Sequence, residues 1–308
     1  MIEQFHRPAT IREALALEKR FQGRAVFIAG GTHLNSTACA RCPEHRTSLS
    51  GLGRDRNERK QGAGVTRSLC SSACALRPEH FISLAGLGLD RVVVKQGVVV
   101  IGPLCTFQRL IDDRRVPAGL RAAAAQLVSR NVREMATLGG HLASNPSYSD
   151  LIPMLIALGA KLGLSRPGTA KTILVADYVA KPTAGLITRI VLPRPRAARV
   201  TACRNARACA NARSIVSAAV SATVVRGAVK DPIIALSGVG DRVVRLTAVE
   251  EAVDGRPLPA MDELQALAGR AVRPTADLSG SAAFRRYQAG VVVALALRDA
   301  LGQKRGRS

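Results

Sequence analysis

Apolar residues recur with alternating or helical spacing along most of the chain, and one stretch near the first third follows neither rule. Thr10-Ile11-Arg12-Glu13 has the Ser/Thr-x-x-Glu form of a capping box. With Ile11, Ala14, Leu15 and Leu17 on one face, it predicts a helix to about Phe21. Ala25 to Ile28 reads as a short buried strand, as do Phe81 to Leu84, Val92 to Val94 and Val98 to Ile101, with Lys95-Gln96-Gly97 turning the chain between the last two. Thr106 to Asp112 and Pro117 to about Ser129 read as helices, the second Ala-rich with Pro at its start. Asp150 to Leu158 is a further helix that Ser149 or Asp150 can cap, and strands follow at Lys161 to Leu164, Lys171 to Val175 and Leu186 to Leu192. Pro193-Arg194-Pro195-Arg196 can continue neither element and reads as a linker. Beyond it lie a β-favouring stretch from Ser214 to Val225, a strand around Pro232 to Leu236 and a second capping box at Thr247-Ala248-Val249-Glu250. A closing helix from Ser281 places Phe284, Tyr287, Val291 and Leu295 on one apolar face.

The stretch that breaks the pattern is an internal repeat. Ser36 to Arg56 lies over Ser71 to Arg91 with most positions identical, and the match runs on through Lys60-Gln61-Gly62 and Lys95-Gln96-Gly97. Two copies are too few for a solenoid, so this is one tandem duplication. The second copy carries Phe81-Ile82 and Val92-Val93-Val94; the first carries Arg46-Thr47 and Asn57-Glu58-Arg59 at the same positions. Burying those charges without partners would be prohibitive. The first copy is therefore expected to be a solvated insertion, about 36–70, and the second to occupy the sheet.

Composition narrows the classes. A chain of 308 residues, 47% hydrophobic, can bury a sizeable core and favours two domains. With six Phe, three Tyr and no Trp, base-stacking platforms are scarce. Lys plus Arg outnumber Asp plus Glu 45 to 22, for a net charge of +23. Such a charge suits an acidic partner, nucleic acid or an anionic surface, but its dispersal argues against nucleic acid; only Arg54 to Lys60 and Lys304 to Arg307 form local clusters. Glu3, His6, Arg7 and Arg12 interrupt any signal-like run, and no segment is long enough for a membrane span, so a cytoplasmic location is expected. Seven Cys, an odd number, then argue for reduced thiols.

Two glycine pairs are the candidate chemistry. Ala29-Gly30-Gly31-Thr32-His33-Leu34 follows a strand; Thr137-Leu138-Gly139-Gly140-His141 opens a small-residue stretch that runs through Pro146 and Asp150 to Pro153. Backbone N–H groups in such loops can converge on an anion, and a tight turn accounts for a bare Gly-Gly equally well. Neither pair belongs to a G-x-G-x-x-G or a phosphate-loop motif; Gly86-Leu87-Gly88 and Gly238-Val239-Gly240 are lone fragments read as turns. Cys39, Cys42, Cys70 and Cys74 offer four thiolates for a cluster or zinc, but Cys39 and Cys74 are the same residue in the two repeat copies, so duplication explains half of that pattern. His33 and His141 lack a further ligand at helical spacing, and no metal site is assigned to them.

The ordered set Phe27-Ile28-Ala29-Gly30-Gly31-Thr32-His33-Leu34, Arg130-Asn131, Thr137-Leu138-Gly139-Gly140, Pro146, Asp150 and Pro153 resembles the FAD-binding subunit of xanthine dehydrogenase-type molybdenum hydroxylases. Past the linker, Arg204, Ser217-Ala218-Ala219-Val220 and Gly280 to Tyr287 are similar to the small C-terminal domain of the same flavoproteins. The resemblance implies an α+β fold: a two-part FAD-binding domain of the vanillyl-alcohol-oxidase or PCMH type over 1–195, then a CO dehydrogenase flavoprotein-like domain over 196–308. It implies FAD as cofactor, with Phe27 to Leu34 and Thr137 to His141 as two pyrophosphate loops. Asp150 would accept from a cofactor hydroxyl, or simply cap its helix. Ile187 would pack on the flavin, or belong to the strand core. Arg204 would reach the isoalloxazine or phosphates, or lie in solvent. No catalytic acid or base is implied, because the flavin carries the redox chemistry. Partners would be an iron–sulfur small subunit and a molybdenum-cofactor large subunit, with NAD or another acceptor. His141 stands where relatives carry Asn, and the acidic residues some relatives have after the Arg204 position are replaced by the small and basic Asn205 to Arg213. A basic binding protein and a degenerate flavin scaffold are the rival functions.

Overall fold

The computed structural model describes residues 4–32, 79–127, 129–194, 199–209 and 212–302. The duplicated segment's first copy, residues Cys39, Cys42, Cys70 and Cys74, His33 and Leu34 lie outside them. The chain divides into two compact units, 1–88 and 89–308.

Among the described residues, the first unit holds a parallel three-stranded sheet and a helix. Strands β1 (Gln4–His6), β2 (Ala25–Ile28) and β3 (His80–Ser83) are ordered β1-β3-β2. The central strand therefore comes from the second repeat copy, pairing Phe5 with Phe81 and Phe27 with Ile82. Helix α1 (Ile11–Phe21) begins as its capping box predicts: Thr10 Oγ1 accepts from Glu13 N at 3.1 Å, and the Glu13 carboxylate accepts from Ala9 N at 2.8 Å.

The second unit stacks two antiparallel sheets around helices. The first sheet is built from β4 (Val92–Lys95), β5 (Val98–Ile101), β6 (Lys161–Arg166), β7 (Thr169–Leu174) and β8 (Leu186–Leu192), ordered β4-β5-β8-β6-β7. Val92 to Val94 and Val98 to Ile101 form a hairpin about the Lys95-Gln96-Gly97 turn, as their apolar runs and that turn predict. Between β5 and β6 run α2 (Phe107–Asp112), α3 (Ala118–Ala125), α4 (Arg130–Met135), α5 (Leu138–Ser144) and α6 (Leu151–Ala157), and α7 (Val175–Ala180) follows β7. The helix that the sequence predicts from Pro117 to about Ser129 ends at Ala125, and Ser129 instead caps α4 by accepting from Val132 N at 3.3 Å. A side-chain oxygen that satisfies a new first turn starts a helix rather than ending one.

The second sheet, β12-β11-β10-β9, comprises β9 (Arg199–Ala206), β10 (Val216–Val225), β11 (Ala228–Ser237) and β12 (Val244–Arg245). Ala219 and Ala235 on its inner face are fully buried in the same core as α6, because small side chains admit an all-apolar helix at close range. Helices α8 (Thr247–Val253), α9 (Met261–Arg270) and α10 (Ala282–Ala300) cover its other face.

Two local expectations are corrected. Thr247 lies inside α8 and caps nothing; Glu250 is buried and accepts from Ile234 N at 2.7 Å and from Arg245, so tertiary donors outcompete the local cap. The closing helix turns the other way. Phe284 and Tyr287 are exposed, and the buried face is Arg285, Ala289, Gly290, Val293, Ala296 and Leu297. The reason is proximity: a Cβ on Gly290 would lie 2.4 Å from the Gln265 carbonyl oxygen, so only the small-residue face fits against α9. No helix among the described residues is long and apolar enough to cross a membrane.

Candidate functional site

Strand β2 delivers the first glycine pair at its carboxyl end. Ile28 O accepts from Leu84 N at 2.9 Å, fixing the strand end, and Gly31 adopts φ +69°, which accounts for glycine there. Phe27 to Thr32 are half-buried.

The second pair forms the first turn of α5. Thr137, itself buried, is the N-cap, and its Oγ1 accepts from Gly140 N at 3.2 Å. The remaining amides of this turn also have acceptors within the chain: Leu138 N bonds Cys105 O at 2.9 Å, Gly139 N bonds Pro103 O at 2.7 Å and His141 N bonds Thr137 O at 2.9 Å. The expectation of a nest of uncommitted amides is therefore not met here, because the Pro103–Cys105 segment docks on them. What the turn presents is close backbone approach at Gly140, where an added Cβ would meet only Thr137 Oγ1, and the Thr137 hydroxyl itself.

His141 follows, edge-on to Phe107 with centroids 5.2 Å apart, and its Nε2 lies 2.7 Å from Ser149 Oγ. That hydroxyl also accepts from Leu151 N and Ile152 N at 3.1 and 2.9 Å, so Ser149, not Asp150, caps α6. With both lone pairs engaged, its proton is directed to the imidazole. Asn145 ends α5 in the left-handed region at φ +43°; its Nδ2 donates to Val179 O, while its buried Oδ1 has no hydrogen-bond partner among the described residues.

Released from capping, the Asp150 carboxylate becomes a hub. Oδ1 accepts from Ser214 Oγ at 2.6 Å and from Asn205 Nδ2 at 3.4 Å; Oδ2 accepts from Arg207 Nη2 at 3.0 Å. The ion pair is nearly enclosed, with side-chain exposures of 12% for Arg207 and 8% for Asp150. Ile187 sits in β8 opposite Leu164, 5% exposed within the core, and Arg204 on β9 is ion-paired with Asp299 of α10. Arg213 covers the Tyr148 ring at 4.5 Å. Sequence reasoning passed over Asn205, Arg207 and Ser214 as partners of Asp150, since 55 or more residues separate them and no periodicity links them.

A depression of about 510 Å³ lined by Asp90, Leu104, Thr106, Arg109, Asp112 and Glu134 is the wrong charge for a diphosphate, with three carboxylates against one guanidinium. Of the described thiols, Cys105 is buried with its pKa pushed up to about 11, chiefly by burial, and donates to Asp90 O, whereas Cys209 is exposed. Alkylation of the native chain followed by peptide mapping is expected to label Cys209 and leave Cys105 unmodified at neutral pH; rapid labelling of Cys105 would show that its site opens. Among the described residues no group of three or more His, Cys, Asp or Glu could hold a metal.

Comparison with known proteins gives the class, a flavoprotein. The family described as FAD binding domain in molybdopterin dehydrogenase matches residues 63–195, and the CO dehydrogenase flavoprotein C-terminal domain matches 201–300. YgfM of Escherichia coli K12, described as uncharacterized, is 35% identical over 295 residues, 96% of this chain and 95% of its own. The carbon monoxide dehydrogenase medium chain of Afipia carboxidovorans is 26% identical, with 96% of each chain covered. A carbon monoxide dehydrogenase structure from Hydrogenophaga pseudoflava shares the fold with a TM-score of 0.80 at 23% identity, over 98% of each chain. The chain belongs to the FAD-binding subunits of the molybdenum hydroxylase family. It is an oxidoreductase subunit whose cofactor is FAD, with an FAD-binding domain followed by a CO dehydrogenase flavoprotein C-terminal domain.

The residues present suit such a cofactor. Close backbone approach and a buried hydroxyl at Thr137 to Gly140 accommodate phosphate oxygens, and the acceptors Asp150 Oδ2 and Asn145 Oδ1 match the hydroxyl and imide donors of a flavin nucleotide.

Proposed function

We propose that this chain is the electron-transfer subunit of a xanthine dehydrogenase-like complex, passing electrons from an iron–sulfur small subunit to an acceptor, NAD or another, while substrate is oxidised on a molybdenum-cofactor large subunit. The observation that carries this reading is the succession of two flavoprotein family matches, 63–195 then 201–300, along one chain. When bound, FAD supplies the one- and two-electron chemistry. The protein's residues bind and orient it. Phe27 to Leu34 would contact the diphosphate, as would Thr137 to His141, the Thr137 hydroxyl would donate to a phosphate oxygen, and Asp150 Oδ2 would accept from the cofactor. Ile187 would pack on the flavin from the strand core, and Arg204, held by Asp299, would reach the isoalloxazine or phosphates. The domain boundary falls at 195/196, the complex is cytoplasmic, and the charge of +23 suits acidic partner subunits.

Purification of the full chain tests this directly. Expected are yellow protein, flavin absorbance and FAD in the supernatant after heat denaturation. Colourless protein that takes up no added FAD would favour a scaffold, and DNA binding that weakens steeply with salt would favour a polyanion-binding role.

A further inference from the structure

We propose that Arg207 is a positioning residue that fixes the free acceptor direction of Asp150 toward the cofactor; this rests on the reading of Asp150 as a flavin-nucleotide acceptor. An ionised carboxylate offers about four acceptor positions. Three are occupied by described residues: two on Oδ1, by Ser214 Oγ and Asn205 Nδ2, and one on Oδ2, by Arg207 Nη2. The remaining position lies on Oδ2, and its direction is set by how the guanidinium holds that oxygen. Arg207 also places a guanidinium against a carboxylate that is itself 9% exposed, so the buried charge is paired.

The surroundings are otherwise neutral donors. Asn205 on β9 also reaches Gln126 Oε1 at the end of α3, at 3.4 Å, and Ser214 precedes β10. The Cys203 thiol, next along β9, is pushed up in pKa by burial first and by the Asp150 charge second, so it remains protonated and adds no competing charge. Arg207 is the cation that the structure bonds to this carboxylate; Arg204 is turned to Asp299 and Arg213 to Tyr148. A segment that reads as generic basic surface in the sequence thus contains one guanidinium with a defined task.

The test is a double-substitution cycle on FAD dissociation constants, measured on the deflavinated full chain by flavin fluorescence, with circular dichroism melting of each flavin-free variant alongside. Arg207→Gln is expected to weaken FAD binding by about tenfold and Asp150→Asn by a similar factor. In the Asp150→Asn background the Arg207→Gln effect should vanish, because Arg207 acts through that carboxylate. Arg207→Lys should recover part of the loss, and its smaller effect should likewise vanish in that background, which keeps the cycle readable if Arg207→Gln fails to fold. Wild-type affinity in Arg207→Gln, or losses that multiply in the double variant, would overturn the role of Arg207. A wild-type chain that takes up no FAD would instead overturn the flavin reading beneath it.

Discussion

Gly139→Ala will destabilise the chain by about 2–4 kcal/mol, whereas Gly140→Ala will melt near the wild type and lose FAD affinity at least about tenfold. The two neighbours differ in what a methyl group would meet. At Gly139 a Cβ would stand 2.4 Å from Pro103 Cβ and 2.9 Å from Pro103 O, so α5 must withdraw from the segment that accepts Leu138 N and Gly139 N. Overpacking of this kind costs about 1–3 kcal/mol and each buried hydrogen bond lost adds about 1 kcal/mol, partly offset by about 1 kcal/mol of helix propensity. At Gly140 the Cβ meets only Thr137 Oγ1, at 2.9 Å. Thr137 must then rotate, giving up a cap worth about 1 kcal/mol against a similar gain in propensity. Stability barely changes, but the hydroxyl and the open backbone surface assigned to the diphosphate are both lost. Melting of flavin-free protein and FAD titration separate the two effects; a Gly140→Ala chain that retains FAD would reduce this loop to a turn.

Arg285→Met will lower the melting temperature by about 10 °C. Arg285 is 6% exposed, and its Nη1 donates to Ile215 O at 3.0 Å and Gly238 O at 2.6 Å while Nη2 reaches Asp277 Oδ1 at 2.5 Å. Met fills the volume but leaves two enclosed carbonyls unpaired, at about 1–3 kcal/mol each. The loss propagates toward the site, because Gly238 N donates to Ser147 O at 2.7 Å, three residues before Asp150. Weaker FAD retention should therefore accompany the lower melting temperature. A pH signature goes with it. Burial alone would raise the Asp277 pKa, but the bonds from Ser279 N and Arg285 hold it below its ordinary value of 3.8. A carboxyl with a depressed folded-state pKa stabilises above its unfolded value and loses that contribution as pH falls through the folded one. The acid-side slope of stability should be shallower in Arg285→Met, and only modestly so because the Asp277 side chain is 57% exposed. An unchanged melting temperature would show that water replaces the guanidinium.

Much of the framework was legible because it depends on short-range rules. The Thr10 cap, the Val92 to Ile101 hairpin and strand β8 follow from local periodicity and turn chemistry. The divergence of the two repeat copies pointed to the second as the sheet-former, and β3 and β4 come from it, with β5 directly after its closing Lys95-Gln96-Gly97 turn. The order of glycine pairs, prolines and Asp150 carried the family, which the matches over 63–195 and 201–300 support. Where expectation failed, a distant group had changed a local preference: Glu250 left its helix cap for Ile234 N and Arg245, and α10 turned Phe284 and Tyr287 outward because Gly290 presses on Gln265.

The chain's sequence by itself determined the elements, the duplication and the flavoprotein class, since each is written in residues close together or in a fixed order. Only the tertiary structure decided what the site residues do. It gave the α5 amides to Pro103 and Cys105, capped α6 with Ser149, and so left the Asp150 carboxylate to Asn205, Arg207 and Ser214. Those partners are set by where the end of β9 and the approach to β10 meet the start of α6. Hydrogen bonds and ion pairs across such a contact depend on position in space, which no spacing along the chain encodes.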